Sequence, residues 1–168
     1  IVWGLRCSNM DIKQYSFQLN LIIKACSFFS DKPDIVINNS HEGKNIHDKL
    51  GFTKNSIVIP NGIDIKKFSP NMENRSNFRN RFDIFNTTKV LLSVARVDPM
   101  KDHETLLIAF NKIKLLFPDV LLILAGLGTK KFIHEEKVIT LGAYKYINEV
   151  YNASDIIISS SAFGEGFS

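Results

Sequence analysis

Cysteine is scarce in this chain. Cys7 and Cys26 are its only two, and they form no Cys-x-x-Cys pair. A disulfide framework is therefore excluded. The simple reading is two free thiols in a reducing compartment, with a single bridge as the alternative. Histidine is also sparse: His41, His47, His103 and His134. His41-Glu42 with His47 imitates a helical zinc motif only superficially, because the spacing of six points the rings apart where ligands on one face need about four. No metal is expected. No apolar run approaches the ~18–20 residues that cross a bilayer, and no signal-peptide pattern opens the chain. Lys and Arg exceed Asp and Glu by only four, giving a net charge of +4. They are scattered, without a basic stripe interleaved with aromatics, so nucleic acid is not an expected partner. A bound phosphate ester accounts for a mild positive excess equally well.

What is present is 45% hydrophobic residues, ordinary for a folded chain and too many for a disordered one. The chain opens on apolar Ile1-Val2-Trp3-Gly4, without Met, and closes inside a small-residue turn, Ser161 to Ser168. It is expected to be an internal piece of a larger protein. Tyr15, Phe17, Leu19, Ile22, Ile23, Cys26 and Phe29 recur at helical spacing, predicting a helix over 14–29 with a broad apolar face. Pro33 closes it. Ile35-Val36-Ile37 predicts a strand, Ser40 the cap of a helix over 41–50 ended by Gly51, and Ile57-Val58-Ile59 a second strand. This is a parallel βαβ rhythm. Pro60-Asn61-Gly62 is a turn, and the polar stretch 61–74 reads as a linker between a first domain, 1–60, and a second, 75–168. The second holds a short polar helix over 75–82 with three Arg, then strands over 90–94, 120–124, 138–141 and 155–158. Between them fall helices over 101–117, 130–136 and 146–152, with Leu106, Leu107, Phe110, Ile113, Leu116 and Phe117 on the buried side of the first. Fully apolar strands alternating with helices predict an α/β fold with parallel sheets covered on both faces.

Three strand ends then fall on one sheet edge, where such folds bind ligands. Ser93 to Lys101 leads from a strand to a helix start. Arg96 offers a planar fork and Lys101 a point charge, beside the partial positive charge of a helix N-terminus. This suits a diphosphate, although solvated surface residues would look the same. Ala125-Gly126-Leu127-Gly128 lets a ligand approach the backbone, or is only a tight turn. It lacks the third glycine and the acidic partner of a dinucleotide fingerprint, which weakens an NAD- or FMN-binding alternative. Phe163-Gly164-Glu165-Gly166 holds one carboxylate between glycines, suited to sugar hydroxyls or simply an exposed turn.

Taken together, these segments resemble retaining GT-B glycosyltransferases of family 4. Val58 to Asp64, then Phe68 and Pro70, is similar to that family's "viPNGvD…F.P" linker. Ser93 to Lys101 resembles "vgRl…K", followed by a "D..tLL.AF" helix, and Leu122 to Gly128 resembles "l.ivG.G". Gly142, then Val150 to Asp155, resembles "lG…..vy..aDi", and Ser159 to Ser168 resembles "PS..EGfs". Asp34 to Ser40 is similar to the "aD.viaNS" strand that closes the acceptor domain. The resemblance implies that residues 1–60 are the end of an N-terminal Rossmann-like acceptor domain and 75–168 an incomplete C-terminal Rossmann-like nucleotide-sugar domain. It implies transfer from a nucleotide-diphosphate sugar, without a metal, to a glycan or lipid-linked acceptor. The setting implied is the cytoplasm, at the inner membrane face, with peripheral membrane association. The alternative is a non-catalytic nucleotide-sugar binding module on the same fold. By position, Arg96 and Lys101 match the pair holding the donor diphosphate, and Glu165 matches the first Glu of the family's Glu–seven residues–Glu motif, beside the donor sugar. Gly126 and Gly128 match a nucleotide loop. The stretch from Gly142 through Ala143 and Tyr144 matches the segment whose backbone frames the base. Gly164, Gly166 and Phe167 match the donor-sugar turn. Three departures stand out: Ala95 for Gly, Asp102 for the Gly after the lysine, and Ser160 for Pro.

Overall fold

The computed structural model describes residues 1–8 and 16–165. They group into two compact units, Ile1–Gly62 with Phe163–Ser168, and Ile63–Ala162. The first carries a parallel sheet of order β1 (Val2–Leu5), β2 (Ile35–Asn38), β3 (Ser56–Val58). Helix α1 (Phe17–Phe28) follows β1, and α2 (His41–Lys49) connects β2 to β3. The predicted βαβ unit is therefore present. Strand β1 is not predicted by the sequence. It is four residues long with a glycine inside, and only pairing of Val2 to Leu5 with Ile35 to Asn38 makes it a strand. Helix α1 starts at Phe17; Tyr15 lies outside the described residues. Its predicted apolar face is not buried: Phe17, Ile22 and Phe29 are exposed, and Leu19, Ile23 and Cys26 are only half-buried. Helix α2 is bounded as predicted. The Gly43 N–H donates to the Ser40 hydroxyl at 3.0 Å, and Gly51 takes the left-handed φ of +85° after it. His47 is buried, its Nδ1 2.7 Å from the Gly43 carbonyl and its ring edge-on to Phe52.

The second unit is a four-stranded parallel sheet of order β6-β5-β4-β7. Its elements are α3 (Met72–Arg81), β4 (Lys89–Val94), α4 (His103–Leu116), β5 (Val120–Ala125), β6 (Val138–Gly142), α5 (Ile147–Ala153) and β7 (Ile156–Ile157). Alternate residues of β4 and β5 face opposite layers. Val90, Leu92 and Ile123 join Phe78, Val150 and Ala153 on one face, while Leu91, Leu122 and Leu124 join Leu106, Leu107 and Phe110 on the other. Helices on both faces are why these strands read as continuous apolar runs.

Four predictions are corrected here. Helix α3 begins at Met72, inside the stretch read as linker, because the Asn71 side chain caps it by accepting from the Asn74 N–H at 2.9 Å. The helix predicted over 130–136 is a 3-10 turn, Thr129–Phe132, entered from a left-handed Gly128. Leu116 and Phe117 are exposed. Leu116 is off the stripe set by Phe110, and Phe117 has left helical geometry at φ −128°. The fourth concerns the short polar helix with three Arg, which turns two of those arginines inward. Arg79 is among the most buried side chains in the chain. It donates to the carbonyls of Ala153, Phe85 and Thr88 and to the Asp155 carboxylate at 2.8 Å. Arg75 reaches the other Asp155 oxygen at 2.8 Å and the carbonyls of residues 152–154. Asp155 also accepts from the Val90 N–H, and its own N–H returns to the Val90 carbonyl, both at 2.8 Å. One carboxylate thereby joins α3, β4 and β7.

The exits of β4 and β5 approach unusually closely. A Cβ at Gly126 would lie 2.0 Å from the Ala95 carbonyl oxygen, and its φ is +146°. Only glycine fits that backbone.

Two outcomes follow for stability. Asp155→Asn leaves the buried Arg79 charge without its counter-ion and should cost about 3 kcal/mol in urea unfolding at pH 7. Burial raises the Asp155 pKa, but the Val90 N–H and the two guanidinium groups outweigh it and hold the carboxyl below its ordinary range. Its contribution is therefore complete above about pH 4 and lost as the pH falls through the depressed value, so the wild type should lose more stability between pH 7 and 3 than the variant does. Gly126→Ala should lower stability by about 3 kcal/mol or more, read as a drop in thermal midpoint, because the backbone contact cannot relax.

Candidate functional site

The strand order β6-β5-β4-β7 reverses direction of growth between β4 and β7. In doubly wound sheets the crevice outside the C-terminal ends of the strands at that reversal is where ligands bind. The loop after β4 and the loop after β7 meet there. The Ser160 hydroxyl donates to the Lys101 carbonyl at 2.7 Å, and the Ala162 N–H donates to the Met100 carbonyl at 2.9 Å. Ser160, where the resemblance led to an expected Pro, thus supplies a side-chain bond that Pro lacks.

The β4 loop carries both predicted cations. Arg96 is exposed, and its Nε and Nη2 groups lie 3.3 and 3.1 Å from Asp98 Oδ2. Asp98 is mostly buried and its other oxygen accepts from the Met100 N–H at 3.0 Å, starting a 3-10 turn over Pro99–Lys101. The carboxylate therefore holds one edge of the guanidinium and aims Nη1 away. Lys101 is half-buried at the end of that turn. Asp102 follows at φ +44° and caps α4, with Oδ1 accepting from the Thr105 N–H at 3.1 Å. Hydrogen bonding from the Thr105 side chain, and then from its N–H, holds the Asp102 carboxyl below the ordinary range. The Asp102 charge is thus directed onto the helix start, and the first turn of α4 is not wholly open to a ligand as the sequence led us to expect. Behind the loop, His103 is buried and stacks on Phe132, with centroids 5.7 Å apart and neither ring nitrogen hydrogen-bonded. Burial pushes its imidazole down, Lys131 adds to this, and the Ala95 carbonyl pulls weakly the other way. Neither Asp98 nor His103 is singled out by the sequence, since an isolated Asp or His carries no spacing signal.

The β5 and β6 loops are tied to this one. The Ala95 N–H donates to Ala125 and the Val97 N–H to Leu127, extending the β4–β5 ladder past the strands. The Gly126 N–H donates to the Gly142 carbonyl at 2.7 Å. Thr129, fully buried, donates its hydroxyl to the Gly126 carbonyl at 2.9 Å and accepts from the Gly142 N–H at 3.1 Å. Gly126, Gly128 and Gly142 all have positive φ. Val94, Gly126, Leu127, Ala143, Tyr144 and Lys145 line a cleft of about 510 Å³ at these ends. The Tyr144 side chain itself turns back, accepting from Arg81 at 2.8 Å and packing edge-on to Phe78.

Arg96, Lys101, Gly126, Gly128, Gly142, Ala143 and Tyr144 are therefore all on the C-terminal edge of the second unit. Gly164 and Glu165 group with the first unit, where the Ser8 N–H donates to the Gly164 carbonyl at 3.2 Å and the Ser8 hydroxyl to the Glu165 carbonyl. Gly166 and Phe167 lie outside the described residues. Among the described residues no group of three or more His, Cys, Asp or Glu could hold a metal ion. Nor is any helix there long and apolar enough to cross a membrane.

Comparison with known proteins fits this geometry. A mannosyltransferase of Corynebacterium glutamicum, described as GDP-mannose-dependent and acting on a monoacylated phosphatidylinositol monomannoside, is 31% identical over 71 residues. That match covers 42% of this chain and 19% of the relative. HepE of Anabaena, solved with UDP and glucose, superposes with a TM-score of 0.80 at 23% identity over 99% of this chain and 47% of its own. The α,α-trehalose 6-phosphate synthase of Burkholderia multivorans superposes with a TM-score of 0.69 at 12% identity, over 100% of this chain and 47% of its own. The chain thus spans about half the length of these solved structures, whose likeness shows a GT-B fold. The family described as Glycosyl transferases group 1 matches residues 74–168, more than half of the sequence, and the chain belongs to it.

Proposed function

We propose that the protein transfers a sugar from a nucleotide-diphosphate sugar, with retention at the anomeric carbon, to a glycan or lipid-linked acceptor. The observation that carries this is the set of four stitched loops, after β4, β5, β6 and β7, at the C-terminal sheet edge beside the strand-order reversal, with Arg96 and Lys101 presented on the first of them. Breaking a sugar–diphosphate bond leaves negative charge on the diphosphate. Fixed cations stabilise that charge where it develops, without reorganising. Arg96 is pre-aimed by Asp98, and its planar fork suits a phosphate, while Lys101 adds a point charge. The cleft beside Gly126 and Ala143 takes the base against backbone, and Glu165, by the family resemblance alone, is assigned to the donor sugar. In this reading Ile63–Ala162 is the donor side and Ile1–Gly62 the acceptor side. Retention is what the family resemblance implies; given retention, and with no candidate nucleophile for double displacement in the matched motifs, the acceptor attacks from the face the diphosphate leaves. Action at the cytoplasmic membrane face belongs to the same proposal.

Titrating UDP and GDP, each beside its nucleoside, tests the seat. Arg96→Ala and Lys101→Ala should each weaken the bound diphosphate about tenfold, with a smaller loss for the nucleoside. Equal losses for both ligands would remove the phosphate assignment. Glu165→Gln should leave diphosphate affinity nearly intact while cutting sugar transfer at least about tenfold. A parallel fall in nucleotide affinity would instead move Glu165 to the nucleotide.

A further inference from the structure

We propose that Ser8 is a positioning residue for Glu165, holding the acidic turn in the orientation that transfer requires. This rests on the reading of Glu165 as the group beside the donor sugar. Both donors of Ser8 are spent on consecutive carbonyls, its N–H on Gly164 and its hydroxyl on Glu165. Those carbonyls belong to the two peptide planes that flank the Glu165 Cα. Fixing both planes fixes φ and ψ of Glu165, and with them the direction of its Cα–Cβ bond. Because the peptides are trans, holding the Gly164 carbonyl on Ser8 also turns the Glu165 N–H the opposite way. Gly164 is buried at φ +79°, a left-handed backbone conformation that favours glycine.

Ser8 is itself braced. It is 5% exposed and sits just past the C-terminal end of β1. Asn39, at the end of β2, donates its N–H to the Leu5 carbonyl at 3.3 Å and its Nδ2 to the Arg6 carbonyl at 3.2 Å. The first turn of α2 lies against the same segment, where a Cβ on Gly43 would be 3.5 Å from the Cys7 carbonyl. The path runs from Asn39 to Leu5 and Arg6, then to Ser8, then to the turn that carries Glu165. An exposed surface serine would show none of this, and kinetic readouts separate a positioning serine from one needed only for folding.

The test uses Ser8→Ala and Ser8→Thr in the full-length protein, with Glu165→Gln alongside. Release of nucleoside diphosphate from UDP-glucose or GDP-mannose gives kcat and KM, and amide exchange by mass spectrometry reports on residues 163–165. Ser8→Ala keeps the N–H bond and loses the hydroxyl bond. It should lower kcat about tenfold, leave donor KM within about twofold, and speed exchange of the turn. Ser8→Thr, which keeps the hydroxyl, should restore all three. Unchanged exchange in Ser8→Ala would overturn the clamp outright. Unchanged kcat in Ser8→Ala with a lowered kcat in Glu165→Gln would overturn the positioning role while leaving the proposed function standing. Unchanged kcat in Glu165→Gln would overturn the role given to Glu165 itself, and with it the positioning role of Ser8.

Discussion

The second unit depends on one buried ion cluster. Asp155 receives Arg75, Arg79 and the Val90 N–H, and Arg79 spends its remaining donors on three carbonyls. A buried guanidinium is tolerable only when paired and hydrogen-bonded, and here it is paired with Asp155 and each of its three nitrogens has a partner. The cluster sits at the start of β4 and β7, the opposite sheet edge from the candidate site. By pinning Asp155 to Val90 it sets the register of β7, which then continues through Ile158 to Leu92. A slip of one residue would reverse every side chain of β7 and carry the loop behind it off the β4 loop. The bonds from Ser160 to Lys101 and from Ala162 to Met100 thus inherit their register from an ion cluster at the far end of the strands.

At the site edge the design is mostly backbone. Positive-φ glycines bring the β4, β5 and β6 exits within hydrogen-bond reach, and Thr129 locks two of them from below. The charges are few and mutually adjusted. Asp98 aims Arg96 at the cost of a carboxylate near an anion seat, and Asp102 turns its charge onto the α4 N-terminus. Under the proposed function, such a site would hold phosphate through fixed geometry more than through excess charge, in keeping with a net charge of only +4.

Much of this is legible in the sequence, for identifiable reasons. The strands of the second unit are covered on both faces, so they appear as apolar runs. Ser40 and Gly51 mark α2 by local capping chemistry that needs no tertiary partner. The site glycines are legible because a positive φ leaves few other choices. The misses have equally plain causes. Strand β1 is short and contains Gly4, so only its partner makes it a strand. The face of α1 has apolar periodicity, but periodicity does not report whether anything covers it. The sequence shows α3 as a short polar helix with three Arg but gives no sign that Arg75 and Arg79 turn inward, since charge is usually solvated.

The sequence by itself determined the order of elements, the parallel α/β class and the positions of the cations and glycines, since these follow from hydrophobic period, capping and backbone freedom. Tertiary structure alone decided which polar residues meet. Asp98 with Arg96, Asp155 with Arg75 and Arg79, Thr129 between two loops, and Ser8 on the Glu165 turn are partnerships fixed by strand register and loop approach. Most join residues far apart in the chain, and no periodicity in a sequence encodes a bond between side chains that only the folded sheet brings together.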